Sequence, residues 1–306
     1  MTYMTLSGLS LRDVEYIVAV DDLRNFSRAA ERCGVSQAGL SEQVRKLEAF
    51  LNVQLFERTR RHVAPTPDGA RIIHSARHVV AAARAMVEMA RSLDGPLEGV
   101  LRIGVIATLG PYYVPRLIPL IREKYPQLQL QLTEGLTDRL LERLAQTELD
   151  IVLAALPCDQ TNLQSLPLFH EPFEAVFPKN HPLARKTRID INSLRGDDLL
   201  LLEDGHCLRD QALSLCQSSG GENRRLATSL EMLWHMIGAG EGYSLIPKLA
   251  LQHRTEWEGL ISCLPVSEGG RQIGMVWRAS DPRQQAFMEF GAFLRQHIPE
   301  GCQKVA

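Results

Sequence analysis

Between residues 11 and 51, apolar positions recur at helical spacing in three short runs. Leu11, Val14, Ile17 and Val18 form the first, and Phe26, Ala29, Ala30 and Cys33 the second. Gly34 breaks the pattern, and Ser36 is placed to cap a third helix that buries Leu40, Val44, Leu47 and Leu51. Val53 to Phe56 and Val63 then bracket Arg58, Arg60 and Arg61, which predicts a short basic hairpin. From Pro67 to about Leu93 the pattern predicts one long helix. Its seam of Ile72, Ala76, Val79, Ala83, Met86, Ala90 and Leu93 is spaced alternately by four and three residues. Small alanines on such a heptad stripe admit a second helix, so dimerisation is favoured over packing on the helix's own hairpin alone. Gly95-Pro96-Leu97-Glu98-Gly99 follows as a hinge-like linker.

Beyond residue 100 the periods alternate. Val100 to Ile106, Leu128 to Leu132 and Asp150 to Ala155 read as strands, separated by helices over Pro115 to Tyr125 and Thr137 to Gln146. That order predicts parallel sheet with crossover helices. A second set begins near Glu174: Leu199 to Leu202, a cysteine-bearing helix, a helix from Ser229 to Ala239, and a strand at Tyr243 to Ile246. The chain then returns at about Ile273 to Arg278 and ends on a helix from Pro282 to His297. The expected fold class is therefore α + α/β. A winged helix-turn-helix domain over 1–66 precedes a linker and dimerisation helix over 67–94. A two-lobed α/β regulatory domain over 95–306 follows, its lobes covering about 100–170 with 273–306, and 171–272.

Two helices joined by a tight glycine turn form a helix-turn-helix, whose second helix enters the major groove. With the apolar face inward, Gln37, Ser41 and Arg45 point outward, where Gln reads adenine, Ser a base or phosphate, and Arg guanine or phosphate. Arg58, Arg60 and Arg61 suit backbone phosphates, and Ser36 stands at the mouth of the same helix. The net charge of −2 does not oppose this, because the basic surplus is local: eight basic against three acidic residues lie between Arg45 and Arg84. The chain has no apolar run long enough to span a bilayer and no basic, apolar export signal at its start. A cytoplasmic protein with no membrane partner is expected, which excludes a secreted solute-binding role. In that compartment thiols are reduced by default, and six cysteines are too few for a disulfide scaffold.

Cys207 and Cys216 stand nine residues apart in one predicted helix. Nine helical residues span about 13 Å and place the thiols on opposite sides. A disulfide needs Cα atoms within roughly 4.4–6.8 Å, so joining them requires the helix to break. Ordinarily two such cysteines are small core residues. Here Cys207 falls where the helix begins, after Gly205, at the positive end of its dipole, with His206 and Arg209 able to add positive charge. Those conditions favour the thiolate. Cys216 runs into Gln217-Ser218-Ser219-Gly220-Gly221, a loop-forming stretch expected to move without disturbing a core. The spacing rules out a zinc site of His206, Cys207 and Cys216 in the helical state, and no metal or other cofactor is expected. Cys33 reads as core, and Cys158, Cys263 and Cys302 show no charged or paired context.

Several motifs together carry a resemblance. Ala29-Ala30, Val35-Ser36-Gln37, Leu40-Ser41, Arg45-Lys46-Leu47-Glu48, Leu55-Phe56-Glu57-Arg58 and Thr66-Pro67-Asp68-Gly69 resemble the signature of LysR-type transcriptional regulators. Ala38 and Asn52 replace the commoner Pro and Gly of that pattern. Further on, Leu202 to Ala212, Cys216, Ala227 to Glu231, Ala107 to Tyr112 and Glu134 to Thr137 resemble the peroxide-sensing members of the family. The family's regulatory domain is in turn similar to periplasmic solute-binding proteins. The resemblance implies that Cys207 is the peroxidatic cysteine and Cys216 the resolving one. It also implies that Thr108, Thr137 and His206 line a small polar pocket for hydrogen peroxide and water, flanked by Arg209 and Asp210. From the residues alone, Thr108 serves equally as a strand-end cap and Thr137 as a helix cap. The implied function is a homodimeric or homotetrameric regulator, not an enzyme. It would bind double-stranded promoter DNA, recruit RNA polymerase to peroxide-defence genes such as catalase, and be reset by thioredoxin or glutaredoxin. The alternative is a family member that takes a small organic co-inducer between the lobes. A thiol peroxidase would need no helix-turn-helix.

Overall fold

A computed structural model describes residues 6–58, 63–91, 97–158, 161–194, 198–216, 225–252 and 259–305. The chain divides into two units close to Leu93. In the first, α1 (Leu11–Leu23) opens on a capping box: Ser10 Oγ accepts the Asp13 N–H, and Asp13 accepts the Ser10 N–H at 2.9 Å. Asn25 caps α2 (Phe26–Arg32), the chain turns at Gly34 with φ +66°, and Ser36 caps α3 (Gln37–Leu51). Leu40, Val44 and Leu47 of α3 meet Val14, Ile17, Val18, Ala29 and Ala30 in one core. Asn52 ends α3 with φ +52°, a conformation asparagine enters at little cost, which is why it replaces a glycine there.

The wing, β1 (Phe56–Arg58) paired antiparallel with β2 (Val63–Pro65), is fixed at its root by α3. Glu48 Oε1 accepts the N–H groups of Leu55 and Phe56 at 2.9 and 3.2 Å. The Thr-Pro-Asp-Gly motif then starts α4 (Pro67–Arg91). Thr66 Oγ1 donates to the Gln54 carbonyl and accepts the Gly69 N–H, and proline occupies the first helical position, where its missing N–H costs nothing. Any side chain at position 69 would lie 2.1 Å from the Leu55 carbonyl oxygen, so only glycine fits. Ile73, Ala76 and Val80 of α4 are buried in the same unit, whereas Val79, Met86 and Val87 are exposed. The predicted seam therefore divides, with Ala76 spent on the domain's own core and Val79 and Met86 left outward. Leu93 and the linker residues Gly95 and Pro96 lie outside the described residues.

The second unit begins with β3 (Gly99–Ile106), α5 (Gly110–Lys124), β4 (Leu128–Gly135), α6 (Thr137–Ala145) and β5 (Ile151–Leu156). There follow β6 (Leu163–Pro178), β7 (Leu201–Leu202), α7 (Cys207–Leu215), β8 (Leu226–Ala227), α8 (Leu230–Gly238) and β9 (Ser244–Pro247). The chain ends with β10 (Ile261–Arg278), α9 (Gln284–Gln296) and β11 (Gln303–Lys304). The large sheet runs β11-β6-β10-β5-β3-β4, with β9 also on β6, and β7 and β8 form a small parallel pair. β4, β3 and β5 are parallel as the alternation predicts, but β10 is antiparallel to both β5 and β6.

Two cores result. Leu166, Leu168 and Phe169 of β6 and Ile273 to Trp277 of β10 serve the first lobe with α5, α6 and α9. Phe173, Ala175, Val176 and Phe177 of β6 serve the second with α7 and α8. Both long strands thus cross between lobes. Sequence reading found the end of β10, at Ile273 to Arg278, but prolines hid β6 and the start of β10, since proline cannot donate to a ladder. Pro167 and Pro265 flank the two places where the β6–β10 register shifts, and the ladder tolerates them there.

At the end of the first lobe Asp281 is 4% exposed and lies between Arg278, at 2.7 Å, and Arg283, at 3.1 Å. Burial alone would raise its pKa, but hydrogen bonds and charge from Arg283, with Arg278 behind, outweigh burial and hold the carboxyl below its ordinary range. A depressed carboxylate contributes stability above its unfolded pKa of about 4 and loses it as pH falls through the folded value. In thermal unfolding followed by circular dichroism, the wild type's advantage over Asp281→Asn should be full at pH 6 and shrink steadily below about pH 4.

Candidate functional site

α7 begins at Cys207 because Gly205 turns the chain with φ +92° and His206 takes the extended N-cap conformation. A side chain at position 205 would approach Leu136 Cδ1 to 3.0 Å, so the turn lies close against the residue preceding Thr137. Cys207 is half-buried and packs on the first-lobe core. Leu208, Ala212 and Cys216 belong to the second-lobe core, where Cys216 is 1% exposed. One helix and its C-cap thus carry two thiols into two different cores. The loop stretch 217–221 lies outside the described residues.

Thr108 follows β3 and is 3% exposed. Its partner is Arg271 of β10, whose Nη1 donates to Thr108 Oγ1 at 2.6 Å and whose Nη2 donates to the Thr108 carbonyl at 2.9 Å. Arg271 Nε in turn donates to Glu171 Oε2 at 2.8 Å, both side chains being fully buried. Glu171 Oε1 accepts the N–H of Leu249 at 3.0 Å. Thr137 opens α6 half-buried, and Asp210 is exposed in the first turn of α7, where a negative charge suits the helix dipole. Tyr112 of α5 donates to Glu231 of α8 at 3.2 Å, so two of the sequence motifs meet across the lobes.

The charge near Cys207 differs from the sequence expectation. Burial lowers the His206 pKa, against a backbone hydrogen bond with Thr228 and the charge of Glu203, so the ring is mainly neutral at pH 7. Arg209 turns back over the preceding segment, with Nε 3.0 Å from Asp204 and Nη1 3.2 Å from the Leu202 carbonyl. The two positive groups assigned to the thiol are thus a mainly neutral ring and a guanidinium paired with Asp204. The buried cation of the region is Arg271, which no local pattern marked: its carboxylate lies 100 residues away and its threonine 163.

Cys302 also has a charged context that the sequence hid. Burial and then Glu171 push its thiol up to about 12, with Arg271 and Arg116 opposing. Cys263 is exposed at the surface, yet crowding around its sulfur and then Glu174 push it up to about 11, against Lys248, and burial raises Cys33. Those three stay protonated and are poor nucleophiles. Cys158 bonds the Ala155 carbonyl at 3.4 Å. Among the described residues, no three His, Cys, Asp or Glu side chains gather as a metal site. No described helix is long and apolar enough to cross a membrane.

On α3, Gln37 and Arg45 are exposed and Ser41 is half-buried, opposite the buried face. Ser36 Oγ accepts the Gly39 N–H at 3.1 Å, and Gln37 Oε1 accepts the Ser27 hydroxyl at 2.7 Å, tying the two helices of the motif together. Arg45 lies 3.3 Å from Glu42. Arg58 ends β1, while Arg60 and Arg61 lie outside the described residues.

Comparison with known proteins matches residues 11–70 to the bacterial regulatory helix-turn-helix protein model of the lysR family. It also matches residues 94–299 to the LysR substrate binding domain. The chain belongs to the LysR family. This LysR-family chain is 38% identical over 301 residues to the DNA-binding transcriptional dual regulator OxyR of Escherichia coli strain K12, covering 97% of this chain and 98% of that one. Among solved structures it resembles a full-length cysteine-to-aspartate variant of OxyR from Pseudomonas aeruginosa. That match has a TM-score of 0.79 and 37% identity, and covers 94% of this chain and 95% of the other. A hydrogen-peroxide-bound cysteine mutant of OxyR from Corynebacterium glutamicum matches with a TM-score of 0.62 and 31% identity, over 94% and 92% of the two chains.

Removing the buried cation tests the electrostatics of this LysR-family site. Arg271→Met would leave Glu171 buried without its partner. Urea unfolding should show a loss of about 3–5 kcal/mol.

Proposed function

We propose that this protein is a redox-sensing transcription regulator that activates peroxide-defence genes through a Cys207–Cys216 switch. The observation that carries the reading is the placement of α7, with Cys207 on one core beside the first-lobe loops and Cys216 inside the other. In the first step the Cys207 thiolate attacks one oxygen of hydrogen peroxide. The sulfur–oxygen bond forms, the oxygen–oxygen bond breaks, and the departing hydroxide takes a proton to leave as water. Sulfur is oxidised to sulfenic acid and peroxide is reduced. Thr108, Thr137 and His206 line the pocket, with Arg209 and Asp210 at its edge, and hydroxyl donors stabilise the leaving oxygen.

In the second step Cys216 displaces water from the sulfenic acid and closes the disulfide. Cys216 must leave its core for this, so residues 207–216 unwind and the second lobe repacks. The energetic balance permits it. Losing one buried cysteine and about two turns of helix costs a few kcal/mol, and the driving force is the net reduction of hydrogen peroxide to two waters by two thiols.

The repacking reaches DNA through an oligomer. Val79, Met86 and Val87, exposed on α4, supply the outer face on which a second copy pairs. Two α3 helices then address one face of promoter DNA through Ser36, Gln37, Ser41 and Arg45, with Arg58, Arg60 and Arg61 on phosphates. A homodimer or homotetramer, recruitment of RNA polymerase and cytoplasmic resetting by thioredoxin or glutaredoxin complete the reading.

Peroxide treatment of purified protein followed by thiol-mapping mass spectrometry tests this. The wild type should gain a 207–216 disulfide and shift its DNA footprint. Cys216→Ser should stop at a dimedone-reactive sulfenic acid on Cys207, and Cys207→Ser should do neither. A peroxide-dependent footprint that persists in Cys207→Ser would overturn the mechanism.

A further inference from the structure

Glu171 and Arg271 are direct register partners on the antiparallel crossover strands β6 and β10, where both strands pass from one lobe to the other. Neither side chain is exposed. A buried ion pair of this kind is a weak source of stability, because desolvation consumes most of the Coulombic attraction and a well-packed apolar pair would serve as well. What an apolar pair could not do is direct hydrogen bonds. Among the described residues, every hydrogen bond the guanidinium makes away from Glu171 goes to Thr108, one to the hydroxyl oxygen and one to the carbonyl. The strands can come together here because position 270 is glycine, where a side chain would meet His170 Nε2 at 2.4 Å and the Glu171 carbonyl at 2.6 Å.

We infer that Glu171 is a positioning residue for the peroxide reaction, acting through Arg271 on Thr108. The inference rests on the pocket reading given above. A threonine hydroxyl has one proton to donate and lone pairs with which to accept. Arg271 Nη1 occupies a lone pair of Thr108 Oγ1, so the hydroxyl proton is left to point elsewhere. The cationic donor also polarises the O–H bond and makes it a stronger donor. Glu171 fixes the direction of that donor from two sides, holding Arg271 Nε with one oxygen and the Leu249 backbone with the other. Thr108 is thereby preset as a donor to the peroxide oxygen that leaves as the Cys207 sulfur attacks the other. Without the carboxylate, the guanidinium is no longer tethered and the hydroxyl is free to turn its proton away.

The test separates peroxide chemistry from general thiol reactivity. Cys207 oxidation by hydrogen peroxide and Cys207 alkylation by iodoacetamide are timed in parallel on the full-length protein, because alkylation has no leaving oxygen for Thr108 to assist. Glu171→Gln should slow the peroxide reaction about ten-fold or more while alkylation stays within about two-fold. Glu171→Asp should recover part of the lost rate. Thr108→Val should be equally slow and should lose little more when combined with Glu171→Gln. If Glu171→Gln does not fold, Glu171→Met with Arg271→Met replaces the pair by apolar groups that a core accepts, and the same split between the two rates is expected. An unchanged peroxide rate, or peroxide and alkylation rates that fall together, would overturn the inference. Failure of wild-type Cys207 to oxidise would instead sink the pocket reading beneath it.

Discussion

The regulatory half of this protein is organised around one charged contact that water never reaches. Arg271 faces Glu171 where the two longest strands cross between the lobes, and the remaining donors of the guanidinium fasten the end of β3 at Thr108. Glu171 reaches the backbone at Leu249, just after β9. A single connected set of hydrogen bonds therefore joins both crossover strands, the first-lobe strand end and the return from the second lobe. Burial makes each of those bonds stronger and the loss of any partner more costly. The lobes are held at this point by directional bonds, so Thr108 at the end of β3 is kept in register with the crossover strands.

Against that fixed point stands a helix with divided loyalties. α7 takes its first residue from the first-lobe core and most of its buried face from the second. Among the described residues, its N-cap makes no side-chain bond and the buried carboxamide oxygen of Gln211 has no hydrogen-bond partner. Both features lower the stability of the wound helix relative to alternatives. The remaining cysteines are governed by the opposite logic. Cys33, Cys263 and Cys302 are kept protonated by their surroundings, so a diffusing oxidant meets few competing nucleophiles.

Much of this was readable from spacing and punctuation. Gly34, Ser36 and the run from Leu40 to Leu47 located the recognition helix, and Gly205 located the start of α7, because such signals act within a few residues. The two cysteines' opposed positions followed from helical geometry alone. Non-local features were not readable. β6 and the first half of β10 were missed because prolines interrupt them, and the pairing of Glu171 with Arg271 depends on strand register across 100 residues. Cys302 looked isolated because its charged neighbours come from β6, β10 and α5. The charge assigned to His206 and Arg209 was misjudged for a related reason: adjacency in sequence cannot reveal burial of a ring or a competing carboxylate at Asp204.

The direct opposition of residues 171 and 271 also limits how this architecture can vary in length. Side chains alternate between sheet faces with a period of two, so inserting or deleting one residue in either strand would turn one member of the pair to the other face. The counting between the first-lobe core and the crossing point must therefore be kept in both strands together. Tolerance for added or lost residues shifts to the segments beyond Pro178 and before Ile261, and descendants of this fold can lengthen or shorten the second lobe while the crossing point keeps its arithmetic.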